Sequence, residues 1–271
     1  MVAIESAVTI KSDSIAMTDE QKFLFDVNGW LLLEGVLSPA ECAAVRRHLY
    51  DGGDPFSGPA QELLDHPAVT GVLNEILSDG KLNSDYWNFR CESSGPSIRK
   101  NGFIPGSTAK PHVVKPPQGA GPMSFTCHNG HIYSGLTRVV WELNPVEHGD
   151  GGTLFMSGAH KSNFAFPPSV RELDNQYLHS YSCSEGSVFI FTESLLHAST
   201  AWKSAKYDRV SIFSAYNSVW AQWHKLNLDP AKIATMPRKR QSLFRGVYAI
   251  DFHRKPSPIG NVEYRPDNQA L

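Results

Sequence analysis

Four residues in the second half of the chain, Glu193, His197, Arg209 and Ser211, have the types and spacing to hold a divalent metal beside an anion. They lie in GSVFIFTESLLHASTAWKSAKYDRVS, the segment from Gly186 to Ser211. Its apolar run, Val188 to Phe191, has strand length and is rich in β-branched and aromatic residues. Glu193 and His197 follow where the chain must turn, and Arg209 opens a second run, Val210 to Phe213. Neutral imidazole and carboxylate suit a first-row divalent ion, and a planar guanidinium fork matches a carboxylate where a lysine would not. A strand histidine taken alone is more often a packed core residue, so the rest of the chain must decide.

The elements that would position these groups can be read from local signals. Thr18-Asp-Glu-Gln21 is a capping-box pattern, and the helix it starts should stop near Asn28-Gly29. Trp30 to Leu33 reads as a buried strand. Ser38-Pro39-Ala40-Glu41 starts a second helix, with Cys42, Val45 and Leu49 on one face and His48 as a surface or packing residue. Residues 61 to 78 read as helix again, and from Tyr86 onward strands, turns and Gly/Pro loops dominate. Asn129-Gly130 predicts a hairpin between Met123–Cys127 and His131–Tyr133. GLTRVVWEL alternates, with Thr137, Val139, Trp141 and Leu143 on one face and Glu142 opposite. Asp150-Gly151-Gly152 turns the chain into Thr153–Met156. Helices followed by many short strands predict a mainly β sandwich or squat barrel with helices packed outside. Neither a repeat nor a linker divides it, so residues 18–271 read as one domain behind a loose tail, 1–17.

Composition narrows the classes of function. With 271 residues, 41% of them apolar, the chain can bury a sizeable core in a single domain. A net charge of −2 and a pI near 6.6 argue against nucleic-acid and anionic-membrane binding, both of which need a basic surface. The local exception, Arg238-Lys239-Arg240 with Arg245, reads as a solvated charge run. Cys42, Cys91, Cys127 and Cys183 form no CxxC pair and predict reduced, mostly buried thiols. The N-terminus lacks the pattern of a signal or transit peptide, and no window reaches transmembrane length. The expectation is a soluble cytoplasmic protein.

Four blocks resemble the phytanoyl-CoA dioxygenase-like family of non-haem iron oxygenases. FLFDVNGWLLLEGVLSPAECAAVRRHL is similar to the family's N-terminal signature, and GDGGTLFMSGAHKSNF to its Gly-rich turn and glycine-small-His-Lys motif. GSVFIFTESLLHAS resembles the distal-histidine strand, and DRVS the co-substrate arginine-x-serine. Their order and spacing cover residues 18 to 220 or so. The resemblance implies a double-stranded β-helix (jelly-roll, cupin-like) barrel, Fe(II) and 2-oxoglutarate. It implies that His197 is a metal ligand, that Arg209 pairs with the distal carboxylate of 2-oxoglutarate, and that Ser211 donates a hydroxyl, with Trp141 a further candidate co-substrate contact. His160 is implied to support the fold. The implied chemistry is oxidation of a small-molecule substrate by dioxygen, with release of succinate and CO2.

The proximal half of that pattern is altered. The family offers His-x-Asp; the one such triplet in the chain, His148-Gly149-Asp150, falls in the Gly-rich turn, and no His-x-Glu occurs. His112-Val113-Val114 and His128-Asn129-Gly130 are the substitutes. His112 is preferred, because its separation from His197 is near the family's and because Asn129-Gly130 already has a reason to exist in the hairpin. Glu193 is then the leading carboxylate, with Glu142 and Asp150 as weaker rivals, giving a rearranged His112–Glu193–His197 face. A missing carboxylate would instead suit a radical halogenase of the same superfamily. A non-catalytic relative that binds a small ligand or metal is the reading from another class. Ile104 to Gln118 is a candidate lid, and Trp220 and Trp223 could floor a substrate pocket or pack a core.

Overall fold

Capping begins the fold where the local signals put it. In the computed structural model, which describes residues 14–106, 110–113 and 124–247, helix α1 spans Asp19–Asn28 behind a complete Thr18–Gln21 capping box. Helix α2 spans Pro39–Tyr50 behind Ser38–Glu41, with Cys42, Val45 and Leu49 buried. The helix expected over 61–78 is two elements. A 3-10 turn, Gly58–Asp65, is followed by α3, Pro67–Ser78, because Pro67 cannot continue a helix from before it and is suited to a first helical position. Two short helices, α4 (Pro230–Ala234) and α5 (Arg238–Gln241), come late.

The strands are β1 (Trp30–Leu33), β2 (Phe89–Arg99), β3 (Thr126–His128), β4 (His131–Tyr133), β5 (Thr137–Glu142), β6 (Thr153–Phe155), β7 (Ser187–Thr192), β8 (His197–Ser199) and β9 (Arg209–Ser218). Five of them form one antiparallel sheet in the order β1-β7-β5-β9-β2. Pro96 sits in edge strand β2, where a missing donor is tolerated. Strand β1, expected to be buried, is the other edge and only Leu31 of it is fully buried. β3 and β4 are the predicted hairpin, with Asn129 and Gly130 both at positive φ as a two-residue turn of this type requires. β6 pairs with β8, and single bridges add His112 to His197 and His179 to Phe155.

Alternation along the strands sorts the core into two layers. Val139, Trp141, Val188, Ile190, Val210, Ile212 and Tyr216 join the helices in one cluster. Val140, Phe189 and Phe191 point the other way and pack with Phe155, Tyr181, Leu195, Leu196 and Trp202. Burying each large apolar side chain of this kind is worth about 1.5–3 kcal/mol, so both layers hold the sheet. The second layer also contains the charged groups described below.

One compositional expectation changes on contact with the structure, and the one for the cysteines stands. Arg240 is no solvated charge: it is buried, paired with Asp65 at 2.7 Å and Glu62 at 2.8 Å. Arg245 is buried too. The cysteines are free, and Cys42, Cys91 and Cys183 are buried while Cys127 is exposed. Burial pushes the Cys42 thiol up to about 11 and those of Cys91 and Cys183 to about 12. Iodoacetamide at mildly alkaline pH is therefore expected to label Cys127 alone in the native protein, read by peptide mass. Rapid labelling of the other three without denaturant would contradict this packing. Among the described residues no helix is long and apolar enough to cross a membrane.

Candidate functional site

His197 opens β8, and its main chain makes both bonds of an antiparallel bridge to His112. The His112 N–H donates to the His197 carbonyl at 2.9 Å and the reverse bond is 3.0 Å. The two rings lie 4.3 Å apart between centroids. Each Nδ1 is 2.8 Å from a main-chain carbonyl two residues earlier, that of Lys110 for His112 and that of Leu195 for His197. A carbonyl only accepts, so Nδ1 carries the proton in both rings, and in the neutral tautomer this selects, Nε2 has the lone pair. Burial, the larger effect, holds His197 below the usual histidine range even though Glu193 pulls the other way.

Glu193 follows β7 and is anchored by its N–H donating to the Leu136 carbonyl at 2.8 Å. Its Oε1 takes Nε of Arg138 at 2.7 Å and Nη2 at 2.5 Å. Its Oε2 lies 3.3 Å from Nε2 of His197. Burial disfavours this carboxylate, yet the Arg138 guanidinium and the neighbouring histidines hold it below the usual carboxylate range. Among the described residues no three His, Cys, Asp or Glu side chains close on a common point as they stand. The donor chemistry nevertheless fits a divalent first-row ion: two imidazole nitrogens with free lone pairs, and one carboxylate oxygen whose twin is already satisfied.

Arg209 is 1% exposed and Glu142 is fully buried. The Nη2 of Arg209 donates to Oε1 of Glu142, and Nε is 3.2 Å from both carboxylate oxygens. Tyr181 donates its hydroxyl to Oε1 of Glu142 at 2.5 Å and lies 3.1 Å from Nη2 of Arg209, which also reaches the Thr153 hydroxyl at 3.3 Å. Burial opposes the Arg209 charge, and Glu142 more than restores it. The arginine expected to meet a free carboxylate thus already has an internal one. Glu142 is accordingly committed to Arg209, and Asp150 to its turn, where it accepts from the Glu147 N–H at 3.0 Å.

The remaining expectations separate. Ser211 is buried opposite Glu142 on β9, and its hydroxyl reaches the Ser97 carbonyl at 3.4 Å. Trp141 does not join it: alternation puts it on the helix-facing side, with its ring 5.3 Å from that of His66. His128 is exposed on the hairpin, opposite His131. It lines a cleft of about 540 Å³ with Leu77, Asp79, Tyr133 and Trp220, and neither His197 nor Glu193 borders that cleft. Trp220 stacks on Tyr133 at 5.2 Å. His160 supports the fold, with Nε2 3.0 Å from the Asp26 carbonyl. Val114 and most of the candidate lid at 104–118 fall outside the described residues. Arg138 was missed by sequence reading, although a signal existed: Arg138 and Glu142 share one face of an apolar strand, and buried charges seldom stand unpaired.

The fold is similar to that of several solved structures. HygX from Streptomyces hygroscopicus with iron bound aligns at a TM-score of 0.62 and 19% identity, over 80% of this chain and 93% of HygX. HygX with nickel and 2-oxoglutarate bound gives 0.63 and 18% over the same shares. The epimerase SnoN in complex with Fe3+, alpha ketoglutarate and nogalamycin RO gives 0.53 and 15%, over 76% of this chain and 86% of SnoN. At these identities the likeness is one of fold. No family model matches the sequence, and no curated protein matches it.

Proposed function

We propose that the protein is an Fe(II)- and 2-oxoglutarate-dependent oxygenase of a small molecule, built on a double-stranded β-helix. The observation that carries this reading is the main-chain bridge between His112 and His197 with the Glu193 carboxylate against it. The strand order supports the fold: β7-β5-β9-β2 lie in one sheet, faced by His112, β8, β6 and His179 in sequence across the other. Proteins of similar fold hold iron or nickel together with 2-oxoglutarate.

In this reading Nε2 of His112, Nε2 of His197 and Oε2 of Glu193 hold the metal. Iron and 2-oxoglutarate together supply the oxidising power, with dioxygen consumed and succinate and CO2 released. The chain's own residues fix the geometry. Lys110 and Leu195 carbonyls set both imidazole tautomers, and Arg138 pins one oxygen of Glu193 so that the other faces the metal. Phe191, Leu195 and Leu196 keep bulk water from the inner side of His197. The Glu193 carboxylate, 3.3 Å from Nε2 of His197, offers a third donor and so speaks against the halogenase alternative, whose site needs a ligand position left empty. The non-catalytic alternative draws on one observation, the occupation of Arg209 by Glu142.

Anaerobic addition of Fe(II) and 2-oxoglutarate to the apoprotein is expected to produce the weak visible charge-transfer absorption of a metal-bound 2-oxo acid. Admitting oxygen should then release succinate. Metal uptake with neither absorption nor succinate would favour the non-catalytic barrel and end the oxygenase reading.

A further inference from the structure

Arg99 and Arg209 stand directly opposite each other on β2 and β9. Opposed residues of an antiparallel pair project from the same face, and like charges there repel. Arg99 gives Nε to the Ser97 hydroxyl at 3.1 Å, reaches the Ser199 hydroxyl with Nη2 at 3.5 Å, and lies 5.2 Å from the Phe103 ring centroid. Neither hydroxyl carries a charge. The one carboxylate that acts on Arg99 among the described residues is Glu142, and Glu142 is bound to Arg209. Burial and the neighbouring Arg209 hold Arg99 below the usual arginine value, at about 10. The cluster of Arg99, Arg209 and Glu142 therefore carries one positive charge with no partner.

Two donors mark where that partner would sit. Nη1 of Arg99 and Nη1 of Arg209 are both buried without an acceptor. Buried donors of this kind are costly to leave unmade. Gly152 borders the second one: a Cβ there would come to 3.4 Å from both Cζ and Nη1 of Arg209. Ser199 and Thr153, paired across β8 and β6, supply hydroxyls beside the two guanidinium groups. Ser199 is two residues after His197, so the two share a face of β8 and lie about 6.6 Å apart along it. A linear dicarboxylate anchored by one end beside His197 reaches this place with the other.

We propose that the distal carboxylate of the co-substrate binds between Arg99 and Arg209, and that Arg99 supplies the charge that holds it. Arg209, neutralised by Glu142, contributes one N–H and the rigid wall. This inference rests on the oxygenase reading above and assigns to Arg99 a role that the family resemblance gives to Arg209.

The test is calorimetric titration of the anaerobic Co(II)-loaded protein with 2-oxoglutarate and with 2-oxopentanoate, which has the same chain length and no distal carboxylate. Arg99→Gln is expected to weaken 2-oxoglutarate about 10–100-fold and to leave 2-oxopentanoate unchanged. Arg99→Lys should fall between, keeping the charge and losing the fork. The apoprotein of Arg99→Gln should melt no lower than wild type, because an unmatched charge has been removed. Equal loss of both ligands, loss of neither, or a lowered apo melting temperature would each assign Arg99 to structure alone and overturn the proposal. If the wild type binds neither 2-oxo acid, the oxygenase reading itself falls and takes this inference with it. Binding of both by wild type with no effect of Arg99→Gln removes the inference and leaves that reading standing.

Discussion

Replacing Glu142 with alanine is expected to destabilise the protein by about 3–5 kcal/mol, the range for breaking a buried ion pair from one side. Glu142 lies fully buried, receives Nε and Nη2 of Arg209, and accepts the Tyr181 hydroxyl. Its loss takes the acceptor from three donors and leaves the guanidinium groups of Arg209 and Arg99 side by side with no negative charge between them. The reverse argument also holds: a pair this deeply buried costs much of its Coulombic gain in desolvation, so a matched apolar replacement of both partners would be far milder than either single change. Urea unfolding at neutral pH measures the effect. Adding Arg99→Gln to Glu142→Ala should recover part of it, because one of the two stranded charges is gone. A loss below about 1 kcal/mol, the level of an exposed pair, would mean that water reaches the cluster.

The second large effect is on metal affinity. His197→Ala is expected to weaken Co(II) or Fe(II) binding beyond the roughly 10–100-fold that loss of a mere outer partner costs, with the fold retained. His197 contributes the one ring that touches both other candidates, being 3.3 Å from Glu193 and 4.3 Å from the His112 ring centroid. Without it the remaining carboxylate stays with Arg138, and His112 alone is a weak ligand. His128→Ala, on the exposed hairpin, should leave affinity unchanged. Equilibrium competition with a chromophoric chelator separates the cases. Loss of metal on removing His128 while His197→Ala binds normally would move the centre to the hairpin and sink the site argued above.

The sequence made the short-range features readable and hid the long-range ones. Thr18–Gln21 and Ser38–Glu41 name both partners of a capping box within four residues, and Asn129-Gly130 specifies its own turn. The alternation in GLTRVVWEL likewise put Glu142 opposite Trp141. What it left open was the neighbour each face meets. That Glu142 finds Arg209 depends on β9 lying beside β5, and Arg99 faces Arg209 only because β2 lies beyond β9. β2 itself ends in SSGPSIR, a polar stretch with a proline and no alternation to flag a strand. Trp141 was grouped with the co-substrate contacts, although its own register already turned it to the helix-facing side. His112 and His197 are joined by main-chain bonds, which leave no trace in side-chain patterning.

That last feature bears on which ion the protein would carry. The bridge sets the spacing of the two imidazoles through the backbone, so the pair is assembled when the chain folds and owes nothing to the metal. Two nitrogens held this way, with the Glu193 carboxylate beside them, would have little means of rejecting the more avid ions: affinity at such donors rises from manganese through iron to nickel and copper whatever the cell requires. Occupancy then follows supply. The ion recovered with the purified protein would report the medium in which the cells grew, and the working metal would have to be identified by turnover and not by content.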